Sequence, residues 1–129
     1  MEHTQTPPWI ADFYAAVDAN DGPGALARMT PDVRLRFASR APAEGRDAAA
    51  ATLGDFHRGF ERVSHRIHHV WSDASTFICE FTATYTLHDG SQLPLPSMTV
   101  LERDGDAIAE MRVYLDETLL AEHPGAGAT

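Results

Sequence analysis

The chain has 129 residues, of which 43% are hydrophobic and 22% charged, and a formal net charge of −9. That size suits one domain around one core, and the acidity excludes nonspecific nucleic-acid binding, which needs a basic face. No apolar run approaches the roughly 20 residues that span a bilayer, the start MEHTQTPPW lacks the features of a signal peptide, and the single cysteine, Cys79, has no internal disulfide partner, so no membrane association and a cytoplasmic location are expected.

Residues 1 to 6 are polar and expected to be mobile. Pro7 and Pro8 open a helix, where a missing N–H costs little, and Ile10, Phe13, Tyr14 and Val17 follow helical spacing. Asn20-Asp21-Gly22 ends it. A short second helix is predicted from Pro23 to Met29 with Leu26 and Met29 inward, then a strand from Val33 to Phe37. Residues 41–45 read as a loop. A third helix is predicted over 46–62 with Leu53, Phe56 and Phe60 on one stripe. Strands follow over 63–71, 76–88, 92–103 and 107–115, the last three joined through Asp-Gly pairs, a strong hairpin signal. The tail from His123, rich in Gly and Ala, is expected to be disordered. The order gives an α+β fold, with three N-terminal helices packed on one face of a curved antiparallel sheet. The domain spans 8–120, with flexible tails at 1–7 and 121–129.

If both Asp-Gly turns are two-residue loops, side chains divide by parity. One face then carries Cys79, Phe81, Ala83, Tyr85, Pro96, Met98, Val100, Ala109, Met111, Val113 and Leu115, and packs on the helices. Glu80, Thr82, Thr84, Ser97, Thr99, Glu110, Arg112 and Tyr114 lie on the other. That polar face suits solvent or a subunit contact. A single β-bulge would exchange the faces beyond it.

In this order the elements resemble the nuclear transport factor 2-like superfamily, which includes SnoaL-like polyketide cyclases, ketosteroid isomerases and limonene epoxide hydrolases. The resemblance covers roughly residues 8 to 120. It rests on Phe13-Tyr14-Ala-Ala-Val17 in the first helix, on Gly45-Arg46-Asp47 before the third, and on Asp104-Gly105-Asp106-Ala-Ile108 followed by Arg112-Val-Tyr114-Leu-Asp116. It implies a cone-shaped sheet closed by helices, a pocket in the cone and a homodimer. The family's catalytic positions carry over poorly. The isomerase tyrosine falls at Phe13, with Tyr14 beside it; the base falls at Phe37 and the oxyanion-hole acid near Met98. The aspartate of the last strand falls at Val113, while Asp116 matches a more peripheral acid. The hydrolase arginine and second aspartate fall on Glu80 and Thr82.

Among polar groups, His65-Arg66-Ile67-His68-His69 stands out. On a strand His65 and His69 sit about 13 Å apart at ~3.3 Å per residue, too far to share one metal ion at ~2.1 Å, so no metal site is expected. With Val63, Ile67 and Trp71 inward, His65 and His69 share their face, and His69, near the middle of the strand, serves as a general acid or base or is a core or rim histidine hydrogen-bonded to backbone. Tyr85 is inward, either orienting a ligand carbonyl or packing on the first helix. Glu80 becomes a proton carrier only if a bulge turns it in. Asp116 reaches the pocket or caps the turn Thr118-Leu119-Leu120. Cys79 reads as a small buried apolar residue. No phosphate-binding loop or nucleotide fingerprint appears, and no cofactor is expected.

Two functions follow. The first is a cofactor-independent cyclase or isomerase, or a hydratase-type lyase, acting on a small apolar ring-bearing carbonyl substrate. His69, Tyr85 and Asp116 would be catalytic, and Trp9, Phe13, Tyr14, Phe37, Phe56, Phe81, Met98, Met111 and Val113 would line the pocket. The second is a non-catalytic ligand-binding or dimerisation module on the same fold. In either case a homodimer through the outer sheet face is expected.

Overall fold

The computed structural model describes residues 1–121; the tail expected to be disordered lies outside the described residues. Pro7 precedes helix α1 (Pro8–Asp18), and Ile10, Phe13, Tyr14 and Val17 form its buried face. The Asp21 carboxylate accepts from the Gly24 N–H and caps α2 (Gly22–Leu26), whose buried residue is Ala25 rather than Leu26. Strand β2 (Met29–Phe37) starts four residues earlier than predicted, because Met29 belongs to the strand and not to the helix before it. A register shift between Met29 and Arg34 accommodates Pro31, which has no N–H for a ladder. The predicted loop contains a two-residue strand, β3 (Ala43–Glu44), paired with β2. Gly45, at φ +88°, leads into α3 (Arg46–Arg58), which stops at Gly59 instead of reaching Arg62.

Four strands follow: β4 (Arg62–Asp73), β5 (Thr76–Thr86), β6 (Gln92–Asp104) and β7 (Ala107–Leu115), and then the short helix α4 (Glu117–Ala121). The expected mobile start of the chain holds a further strand, β1 (Glu2–Thr4), paired with β4. It forms because β4 runs on to Asp73 and offers an unpaired edge. The seven strands make one curved, unclosed sheet in the order β1-β4-β5-β6-β7-β2-β3. It is mixed rather than wholly antiparallel, since β2 runs parallel to β7. The helices cover its concave face, where Ile10, Phe13, Met29, Val33, Leu101 and Ile108 are fully buried. Among the described residues no helix is long and apolar enough to cross a membrane.

Three irregularities revise the expected faces. The loop between β5 and β6 has three residues, His88-Asp89-Gly90, not two. Leu87 N–H donates to Ser91 O at 2.8 Å, Gly90 N–H donates to Leu87 O at 2.9 Å, and Gly90 takes φ +86°. Cys79 therefore pairs with Thr99 and Phe81 with Ser97. Leu95, Ser97, Thr99 and Leu101 point inward, in place of Pro96, Met98 and Val100. A shift between Glu102 and Arg103 brings Ile108 into the core instead of Ala109, while Met111 and Val113 remain inward. A shift between Ile67 and His69 turns Val70 inward and His69 and Trp71 outward.

Gly90 meets no atom within 4 Å where a Cβ would stand, so Gly90→Ala tests backbone conformation alone. It is expected to cost about 1–2 kcal/mol, read from urea denaturation; an unchanged midpoint counts against the three-residue loop. Burial also raises the Cys79 thiol from 9.0 to about 12 and holds the Tyr14 and Tyr85 phenols above their ordinary range. The folded chain thus keeps protons that the unfolded chain releases from pH 9.0 upward. The resulting stability is complete below that pH and is lost as pH rises towards 12. Urea midpoints are expected to fall from about pH 8 to about pH 11, less steeply in Cys79→Ala.

Candidate functional site

The helices do not fill the concave side of the sheet. A cavity of about 50 Å³ remains, or about 520 Å³ of empty space when its open approach and the gaps between lining atoms are included. Seven of the expected residues line it: Tyr14, Phe37, Phe56, Phe81, Tyr85, Met111 and Val113. Val17, Leu35, Leu53, His65 and Thr99 complete the wall. The lining is almost wholly apolar, with polar atoms only on Tyr14, His65, Tyr85 and Thr99.

The other expected residues lie elsewhere. Phe13 is core, packed edge-on against Tyr14. Trp9 packs on Phe77 and under the Arg103 guanidinium. Met98 is turned away by the longer β5–β6 loop. His69 stands on the outer face, exposed, with Nδ1 3.0 Å from His3 Nε2 and its ring against Trp71. Asp116 accepts from the Thr118 N–H at 3.1 Å, the capping arrangement, and borders a separate surface hollow with Ser39 and Tyr114. Glu80 pairs in register with His69, outside the cavity. Of the three candidate catalytic residues only Tyr85 reaches the cavity.

The histidine that does reach it is His65. Its side chain is 7% exposed, and its ring lies 4.7 Å from that of Tyr14 and 5.1 Å from that of Phe81. Asp18, the last residue of α1, holds it twice: Oδ1 is 2.5 Å from His65 Nδ1, and Oδ2 accepts from the His65 backbone N–H at 3.0 Å. A carboxylate facing Nδ1 favours a proton there, and in the neutral ring this leaves Nε2 with the lone pair. Asp18 also sits at the helix end that disfavours negative charge, and His65 supplies the compensating N–H groups.

Beside this pair lie two buried hydroxyls, Tyr14 Oη and Thr99 Oγ1, close enough to interact with each other but with no partner at full hydrogen-bond geometry. The Tyr14 phenol is held well above its usual range, chiefly by burial and then by the Cys79 thiol, while nearby Thr99 acts in the opposite direction. It is therefore a proton donor at neutral pH. Tyr85, raised by burial, is likewise protonated. His57, half-buried in the last turn of α3, is lowered by burial first and then by His65, so it stays neutral. Among the described residues no group of three potential ligands could hold a metal ion.

Sequence spacing did not single out Asp18, His65 or Thr99 for the site. The available signal was the alternation Val63, His65, Ile67, which places His65 inward whatever follows.

No curated protein is similar enough to the chain to count as a match. Many solved structures share its fold, three of them as follows. A hypothetical protein with a ketosteroid isomerase-like fold from Catenulispora acidiphila DSM 44928, in complex with trimethylamine, is 17% identical over 92% of this chain and 93% of its own, with a TM-score of 0.83. A candidate SnoaL-like polyketide cyclase from Jannaschia sp. CCS1 is 19% identical over 98% and 99%, with a TM-score of 0.78. TerC, co-crystallised with polyporic acid, is 16% identical over 88% and 93%, with a TM-score of 0.81. The family model for the SnoaL-like domain matches residues 10–111, most of the chain and nearly all of the wall just described, and the chain belongs to that family.

Proposed function

We propose that this protein binds a small ring-bearing carbonyl compound in the cavity and moves a proton on it without a cofactor. His65 is the base, Asp18 its positioning residue, and Tyr14 and Thr99 the donors to the carbonyl oxygen. The observation that carries this reading is the Asp18–His65 pair at the wall of an apolar cavity whose two buried hydroxyls, Tyr14 and Thr99, have at most each other as partners. Nε2 takes a proton from carbon next to the carbonyl, and the C–H electron pair becomes the C=C bond of an enolate. The negative charge gathers on oxygen, where preorganised hydroxyl donors stabilise it. The imidazolium, stabilised by Asp18, returns the proton to carbon, giving an isomer or exchanged substrate. The sequence contains no lysine, so a protein imine is not part of this route. The likeness to a candidate SnoaL-like polyketide cyclase from Jannaschia supports the substrate type.

The apolar Phe37 and Val113 in the wall favour a second reading, a binding module without turnover. Hydrogen–deuterium exchange at the methyl group of acetophenone in D₂O, followed by NMR, separates the two. On the first reading the protein accelerates exchange, and His65→Ala removes about 10²–10⁴ of the rate. Tyr14→Phe slows exchange with binding largely retained, and Asp18→Asn shifts its pH profile. Binding without exchange selects the module.

The outer sheet face supports a homodimer on the same reading. Tyr114, 44% exposed and bonded to Arg36, stands there with the Arg112–Glu110–Glu102 cluster. Light scattering is expected to give about twice the chain mass, and the mass of one chain rejects the contact.

A further inference from the structure

We infer that the cavity selects uncharged, single-ring carbonyl compounds and rejects both carboxylates and fused multi-ring ketones, an inference that rests on the site reading above. The first half is a matter of charge. No arginine lines the cavity. Arg40 stands over the ring of Phe37, 5.6 Å from its centroid, and is paired with Glu117 at 3.6 Å. His65, if protonated, offers one positive charge that Asp18 already matches at 2.5 Å. A bound carboxylate would lose its hydration in an apolar wall, beside an existing carboxylate and without a cation of its own. The hydroxyls of Tyr14 and Thr99 instead suit a neutral acceptor oxygen, which satisfies both at once.

The second half is a matter of size. An apolar cavity of about 150 Å³ takes up a benzene ring. The present 50 Å³ is about one third of that, so even one ring must use part of the open approach. Further widening is resisted by Phe56. Its ring lies 5.4 Å from Phe37, 5.5 Å from Phe60 and 5.8 Å from Tyr85, so displacing it breaks three aromatic contacts together. A single ring needs a small adjustment there; three fused rings need the whole cluster to open.

The test is isothermal titration of the full chain at pH 7.5 with acetophenone, toluene, benzoate and 2-acetylanthracene. Acetophenone is expected to bind more tightly than toluene, and benzoate and 2-acetylanthracene to bind at least about tenfold more weakly than acetophenone. Tyr14→Phe combined with Thr99→Val is expected to bring acetophenone down to the level of toluene, with toluene unchanged as the check that the cavity survives. Phe56→Ala is expected to admit 2-acetylanthracene. Benzoate or 2-acetylanthracene binding less than tenfold more weakly than acetophenone overturns the selectivity and leaves the site reading standing. Failure of all four compounds to bind folded protein overturns both.

Discussion

A strand residue can face only one of two ways, and in this sheet three one-residue irregularities decide which side chains meet the cavity. The shift between Ile67 and His69 leaves His65 on the concave side and sends His69 to the outer face. The three-residue loop ending at Gly90 sets Thr99 opposite Cys79 and carries Met98 outward. The shift between Glu102 and Arg103 lets Ile108 enter the core while Met111 and Val113 keep their places in the wall. With a two-residue loop at Gly90, Met98 and Val100 would point inward, the cavity would lose the Thr99 hydroxyl, and Tyr14 would face only apolar atoms. The chemistry available to the site is therefore set by loop length and bulge position as much as by residue identity.

The polar groups at the cavity differ from those on the rest of the sheet. On the outer face Arg112 is paired with Glu110 and Glu102, Thr76 with Glu102, and His68 with Thr82. Those groups are paired with one another. Tyr14 and Thr99 are buried with at most each other as partners, and a buried hydroxyl left without a hydrogen bond costs about 1–3 kcal/mol. Asp18 adds a carboxylate at the unfavourable end of α1. The core carries this cost because Ile10, Phe13, Met29, Leu101 and Ile108 are fully removed from water. At such a place a ligand oxygen gains most, since its hydrogen bonds replace at most the contact between these two hydroxyls.

Much of the architecture was legible in the sequence. The spacing of Ile10, Phe13, Tyr14 and Val17 gave α1, and the alternation of Cys79, Phe81, Ala83 and Tyr85 gave the inner face of β5. What remained hidden has physical reasons. Parallel and antiparallel neighbours impose the same alternation, so the β2–β7 pairing leaves no mark on β2. Strand β1 is three residues long and forms only because β4 offers an edge. His68 and His69 are chemically alike, so nothing local says which of them the bulge displaces. Asp18 and His65 are 47 positions apart, and alone each reads as an ordinary helix end or strand residue. Cavity membership was legible where side chains were apolar and lay on strands without a shift, as at Phe81 and Tyr85. It was not legible where it depended on a shift, as at His69 and Met98.

The composition of the wall also limits which reactions the proposed site can run. Tyr14 and Tyr85 are kept protonated by burial and act as donors, not bases. Burial holds the Cys79 thiol near 12, so it supplies no thiolate nucleophile at neutral pH. His57 is neutral and outside the lining. Among the described residues, His65 is then the one imidazole in the wall, and the wall holds no carboxylate. A reaction needing a second base finds none there, because apolar Phe37 and Val113 stand at the positions where the resemblance placed the isomerase base and the last-strand aspartate. The steps that fit are those in which the same nitrogen removes a proton and delivers it again on the same face, while Tyr14 and Thr99 hold the oxygen that bears the charge in between.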